Sequence, residues 1–440
     1  MPRPAEGYCP YHQQEGRPGS INTRGSNTSD SDPFMQQLTP ARGIMIAGCI
    51  LLFFIILLFY YAAPGIVPPA SDRPAVHLVY ASAGTMTQLL NTGQIDAFLV
   101  WEPVVSTTEL AGIGKMIAHP GDLPPPGKWT DAASCVLVLR KDVTYQYPEQ
   151  SALLSALTTA AITRIREDPG SAEEITADWV FGKSPILTPG GSLSPSDVEH
   201  LSFRNMVFTA DARSPQSGTV KNTLSELGTT SYNPMDMMDP AIATRGRQFL
   251  NGTAVPRTSG DLPTFNIGYL PSSDNFAPLY VMVRDSAYFC SRYGFCLVPD
   301  DPSSSRPVAC TLTVKGTPAA RVNLIPGQSG GGIMTTIGQK ALDGAYVGSI
   351  PAEMQIALGN PSSIIQSINT GGSGLVVGTK NPCRDWTGFA RWVKDRSAAG
   401  RPVVVATIQS SIQEDMLREA LSYENISVKY YGTDFKAGYP

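Results

Sequence analysis

The chain predicts an α/β fold with one N-terminal transmembrane helix, and three observations carry that expectation. "GQIDAFLVWEP" at residues 93–103 is a glycine-led acidic turn that runs into an apolar strand and ends in Trp, Glu and Pro. "QKALDGAYVGSIP" at 339–351 repeats the pattern in the second half of the chain, and strand, helix and strand alternate around both copies. The third observation is a long uncharged run near the N-terminus.

Each element follows from local pattern. "AVHLVYA" alternates as a strand, "GTMTQLLNTG" reads as a helix ended by Gly93, and "IDAFLVW" is the next strand. "ASCVLVLRKD" is a strand, "EQSALLSALTTAAITRIREDPGSAEEITADWVFG" reads as helices, and "SPSDVEHLSFRNMVFT" adds a helix with Ser194 and Ser196 as N-cap candidates. Residues 228–262, rich in Gly, Thr, Asn, Met and Pro, read as a connector. "TFNIGYLPSSDNFAPLYVMVRDSAYFCSRYG" gives a strand, a polar loop and a helix. In the repeat, "ARVNLIP" is a strand, "GGGIMTTIGQKALDG" a glycine-started helix ended by Gly344, and "AYVGSIP" a strand. "SSIIQSINTGGSGLVVG", "WTGFARWVKDRSAAGRPVVVATIQSSIQEDMLREAL" and the strand "NISVKYYG" complete the body. Both repeats aim a strand's carboxyl end at a Pro-containing loop, and ligands of open α/β sheets sit outside such ends. Two units imply two facing lobes.

With 440 residues and 42% hydrophobic content the chain can bury a large core. Its net charge of −4, without a Lys/Arg run, argues against nucleic acid as a partner. Residues 44–63, "IMIAGCILLFFIILLFYYAA", carry no charge and at ~1.5 Å per residue cross a bilayer core of ~30 Å. A cleaved secretory signal is the alternative. The 43-residue leader and the length of the run favour an uncleaved anchor, and a buried core helix would show a polar face. Arg24 and Arg42 favour a cytoplasmic tail and a body outside the cytoplasm at the cell membrane. Residues 1–43 read as disordered and 64–74 as a linker.

Of seven cysteines, Cys9 and Cys49 fall in tail and span. Cys290 and Cys296 are spaced to close a small loop, and the five body cysteines, these two with Cys135, Cys310 and Cys383, are expected as buried free thiols with at most one disulfide among them. No CxxC pair stands in metal-site spacing, and no cofactor is implied. Sequons at Asn251 and Asn425 fit external exposure.

"IGYLPSSDNFAPLYV", "ALDGAYVGSIP", "ATIQSSIQEDML" and "GQIDAFLVWEP" together resemble the nitrate/sulfonate/taurine-type substrate-binding proteins of ABC importers. The resemblance implies a two-lobed periplasmic-binding-protein-like fold of type II, a small-molecule ligand and ABC permease and ATPase partners. The order departs from the family, whose "GY.P" segment opens the domain. Circular permutation accounts for this: residues 263–440 supply the opening portion and 75–227 the close. A truncated tandem, or fragments completing one another in a dimer, are the alternatives. Permutation also leaves "ISVKYYG" and "VHLVYAS" claiming one strand position, with one displaced to an edge.

A cleft between lobes needs donors, acceptors and a wall that excludes water. The polar loop offers Ser272, Ser273, Asp274 and Phe276, although Ser-Ser-Asp also makes an ordinary turn. Thr407, Gln409, Ser410 and Ser411 stand where a strand gives way to a helix and suit an anion, while Ser411 and Glu414 also match a capping box. "IPGQSGGG" spaces Gly327, Ser329 and Gly331 as a nucleophile elbow, with Gln328 between, so a serine hydrolase using Ser329 is an alternative. His77, His119 and His200 stand in no companion motif. Gly348 and Ser349 in one repeat mirror Trp101 and Glu102 in the other, where Glu102 would accept from an amine of a zwitterion. Asp96 is expected to bond backbone; Asn369 and Thr370 are further polar candidates. The expected function is a membrane-anchored, non-enzymatic receptor for a small anionic or zwitterionic solute. A sensory ectodomain is the remaining alternative, and the short N-tail argues against it.

Overall fold

The computed structural model describes residues 74–228, 233–258 and 262–431. The expected tail, the span at 44–63, Cys9 and Cys49 lie outside them. Among the described residues no helix is long and apolar enough to cross a membrane.

The chain opens with β1 (Val76–Tyr80), α1 (Ala83–Asn91), β2 (Ala97–Trp101), α2 (Val104–Leu110) and β3 (Gly114–Ala118). It crosses to β4 (Ala133–Arg140), α3 (Lys141–Gln146), α4 (Pro148–Glu167), α5 (Pro169–Val180), the hairpin of β5 (Ile186–Thr188) and β6 (Gly191–Leu193), α6 (Pro195–Phe203) and β7 (Met206–Phe208). Then come α7 (Gly218–Glu226) and α8 (Pro240–Leu250). The second half runs β8 (Thr264–Tyr269), α9 (Ala277–Arg284), α10 (Ser286–Tyr293), β9 (Phe295–Pro299), β10 (Ala309–Val314), β11 (Thr317–Pro326), α11 (Gly330–Gly338), β12 (Gly344–Gly348), α12 (Ser349–Ala357) and β13 (Ser362–Gly371). It ends with β14 (Ser373–Gly378), α13 (Trp386–Ala398), β15 (Val403–Thr407), α14 (Ile412–Tyr423) and β16 (Val428–Tyr431).

Two sheets form two lobes, and each draws on both halves of the chain. The first has the order β16-β1-β15-β2-β14-β3, the second β7-β13-β4-β12-β8-β11-β10-β9. Strand alternation gives the first sheet two buried faces. Leu78, Leu99 and Val405 pack with Phe389 of α13 and Leu417 of α14 on one side. Val79, Phe98, Val100 and Ala406 pack with Met86 of α1 and Val105 of α2 on the other. A single larger core fills the second lobe, where Leu137 and Val138 of β4 join Leu153 and Leu157 of α4.

Several expectations meet the structure directly. Of the two strands that claim one position, β16 lies at the edge of the sheet and pairs in parallel with β1 alone. Asp96 bonds backbone, accepting from Val404 N at 2.9 Å. Cys290 and Cys296 form a disulfide, while Cys135, Cys310 and Cys383 are buried and free.

Others are corrected. The helix expected to end at Gly344 stops at Gly338; Lys340 then turns with φ +62°, and Gly344 begins β12. The Pro-containing loops are helix starts, because Pro103 caps α2 and Pro351 lies in the first turn of α12, where a missing N–H costs nothing. Ser194 is the N-cap of α6, without a side-chain cap bond, and Ser196 lies inside the helix. The connector carries α8, which buries Ile242, Ala243 and Phe249 against the second lobe. Gly246 permits its approach to α4, since a Cβ there would stand 2.8 Å from Ala152 O.

Candidate functional site between the lobes

Strand ends and helix starts from both lobes converge on one small cavity of about 40 Å³. The first lobe contributes Trp101 at the end of β2, Ile408–Ser411 between β15 and α14, and Ile412 and Gln413 in the first turn of α14. The second contributes Leu270, Ser273, Asn275 and Phe276 after β8, Ser329 and Gly330 at the start of α11, Gly348 and Pro351 at the start of α12, and Ser134 and Cys135 of β4.

Each wall is held by its own chemistry. Ser329 is the N-cap of α11, its Oγ accepting from Gly332 N at 3.1 Å. Ser411 caps α14 by accepting from Glu414 N at 3.2 Å. The capping box is shifted by one residue: Glu414 reaches back to Ser410 N, at 2.6 Å, instead of Ser411. The β8 loop is pinned by Tyr280, whose buried hydroxyl is 2.9 Å from Ser273 O and 3.1 Å from Leu270 O. Asn275 donates to Ser273 Oγ at 3.1 Å and accepts from Asn369 Nδ2 at 2.5 Å.

Three features of this lining bear on ligand chemistry. None of the lining residues carries a charge. Starts of α11, α12 and α14 all face the space, and the first N–H groups of a helix lack intrahelical partners and favour negative charge. Trp101 also lines it, with its indole Nε1 buried and without a partner. The lining is uncharged and largely apolar, and its free indole N–H together with hydroxyls and helix-start N–H groups suits a group that carries acceptor oxygens.

Of the residues singled out in the sequence, Trp101, Ser273, Phe276, Ser329, Gly348, Gln409, Ser410 and Ser411 come together here. Ser272 and Gln328 are exposed and stand outside the lining. Four more are buried behind it with their side chains committed elsewhere. Ser349 donates to Ala133 O at 2.6 Å, and Thr407 donates to Leu99 O at 3.1 Å. Glu102 accepts from Asn205 Nδ2 at 2.6 Å and Ser106 N at 3.0 Å, and Asp274 accepts from Ser202 Oγ. Glu102 lies just past the end of β2 and Asp274 opens a 3-10 turn, and these hydrogen bonds to Asn205, Ser106 and Ser202 hold both carboxyls behind the wall that their neighbours Trp101 and Ser273 line. Burial pushes the Glu102 carboxyl up to about 7 and raises that of Asp274.

Ser134 and Cys135 were missed because β4 runs antiparallel and brings its N-terminal end to the cavity, where the usual guide looks only to carboxyl ends. Asn275, Gly330, Pro351, Ile408, Ile412 and Gln413 are sequence neighbours of singled-out residues. The elbow reading of Ser329 finds a hydroxyl spent on capping, and no histidine stands among the lining residues.

Comparison with known proteins bears on the first half of this arrangement. Residues 55–180 match the NMT1-like family. That family is one of the nitrate/sulfonate/taurine-binding substrate-binding group, and its match runs through β1 to the end of α5. Trp101, Ser134 and Cys135 of the cavity fall within it. No curated protein and no solved structure matches the chain.

Proposed function

We propose that the chain is a solute-binding protein that holds a small organic or inorganic oxyanion between its two lobes. The observation that carries this reading is the uncharged cavity on which three helix starts and the unpaired Trp101 indole converge. Glu102 stands behind the wall, so the amine of a zwitterion would find no carboxylate in the lining. That favours an anion such as a sulfonate, nitrate or carboxylate over taurine. Contacts from both lobes to one ligand would favour a closed arrangement over an open one. The family match supports the class, and with it a place beside an ABC permease and its ATPase.

The segment at 44–63 would anchor the protein with its binding body outside the cytoplasm. Circular permutation is part of the same proposal, supported by lobes that each combine early and late strands. A thermal-shift panel on the detergent-solubilised chain, with alkanesulfonates, taurine, nitrate, carboxylates and pyrimidines, tests the reading. Stabilisation by an oxyanion, lost in Trp101→Phe and Gln413→Ala, is expected; the absence of any stabilising solute would count against it.

A further inference from the structure

Directly behind the cavity wall three carboxyl groups are fully buried together: Glu102, Glu199 and Asp274. They come from different elements. Glu102 follows β2 in the first lobe, Asp274 follows β8 in the second, and Glu199 sits on α6, which packs against both α2 and the Asp274 turn. The backbone joins the lobes at the same point, with Asp274 N–H 3.4 Å from Glu102 O, Glu102 N–H 3.0 Å from Gly372 O and Gly372 N–H 2.8 Å from Asn205 O.

Partners for these acids are few. Both oxygens of Glu199 and Oδ1 of Asp274 have no donor, and none of the ion pairs among the described residues involves any of the three. Glu199 and Asp274 are within reach of one hydrogen bond, which two carboxyl groups make only when one supplies a proton. The titratable groups facing them do not neutralise charge. Glu109 beside Glu102 and Glu173 beside Glu199 are acids, and Tyr280 spends its hydroxyl on backbone carbonyls. Glu173 is itself paired with His200 at 3.1 Å, and Arg306, which acts on Tyr280, is bonded to the carbonyls of Trp179 and Val180. Among the described residues no set of side chains is placed to hold a metal ion.

An unpaired carboxylate in such surroundings is costly, and a neutral carboxyl is not. We propose that Glu102, Glu199 and Asp274, kept neutral, form a latch joining the two lobes behind the ligand cavity, and that ionising them loosens the loops that line it. Trp101 and Ser273 are the immediate neighbours of Glu102 and Asp274, so loosening reaches the cavity through one peptide bond on each side. Protons therefore favour the gripping arrangement, and their loss favours release. Burial raises all three carboxyls, and repulsion from Asp274 adds to it at Glu199.

The link to a ligand rests on the function proposed above, whereas the latch does not, and amide hydrogen exchange without ligand separates the two. On the full chain in detergent, exchange of segments 99–106, 199–206 and 270–280 is compared at about pH 5 and about pH 8.5 after correction for intrinsic rates. Protection about tenfold lower at the higher pH is expected, confined to these segments. Glu199→Gln combined with Asp274→Asn should remove that dependence, and Glu102→Gln alone, which leaves the facing pair intact, should reduce it. Equal protection at both pH values, or an undiminished dependence in Glu102→Gln, overturns the proposal. So does restoration of protection at high pH by millimolar Ca²⁺ or Mg²⁺, because the cluster would then be a cation site.

Discussion

Val76 and Val428 are register partners on adjacent parallel strands, and Val76 N–H reaches Ser427 O at 3.0 Å. The beginning and the end of the described chain thus lie side by side in one sheet. A rotated chain order is expected to fold: residues 262–431 first, a flexible linker of about ten residues to span the length of the edge strands, then residues 74–258. Its far-UV dichroism should match the parent's and its melting should stay cooperative. A chain that does not fold in this order would remove the main support for permutation.

Gly372 joins β13 in one lobe to β14 in the other with φ +68°. A Cβ there would stand 2.3 Å from Asn275 Oδ1, a cavity residue. Gly372→Ala should destabilise by about 1–3 kcal/mol through backbone strain and this clash. Chemical denaturation reads the cost, and weaker binding of any ligand found in the thermal-shift panel is expected with it.

Ser329 caps α11, so Ser329→Ala should cost about 1 kcal/mol, and Ser329→Gly less. A serine-directed phosphonate should label neither the parent nor the variant. Labelling that disappears on substitution would favour the hydrolase alternative.

Glu102 binds a proton more tightly when folded than unfolded. Its contribution is fully present below its ordinary value of 4.5 and declines as pH rises, until it is lost above about 7. Unfolding free energies measured across that window should fall by a few kcal/mol in the parent and less steeply in Glu102→Gln. A parent curve as flat as the variant's would show the carboxyl to be unperturbed.

The pair Cys290 and Cys296 closes a short loop, for which chain-entropy arguments give a stabilisation of about 2 kcal/mol. Reduction should lower the melting temperature modestly while leaving the sheet content unchanged. Cys135, by contrast, should react slowly with thiol reagents, since burial pushes its thiol up to about 12.

Most of the architecture was legible in the residues alone because it depends on local pattern. Alternation gave β1, apolar runs gave β2, β4 and β15, glycine marked the end of α1, and the two strand-turn motifs located the loops of both lobes. The doubled claim of "VHLVYAS" and "ISVKYYG" on one strand position even anticipated an edge strand. Side-chain direction at a strand end was beyond that reach. Trp101 and Glu102 are neighbours in sequence, yet one lines the cavity and the other is buried behind it, a choice made by packing against Asn205 and Ser106. Ser134 and Cys135 needed the antiparallel sense of β4, which long-range pairing decides. The meeting of Glu102, Glu199 and Asp274 had no local signature, since pattern determines what each segment becomes while only the closing of the fold determines which buried groups must share a proton.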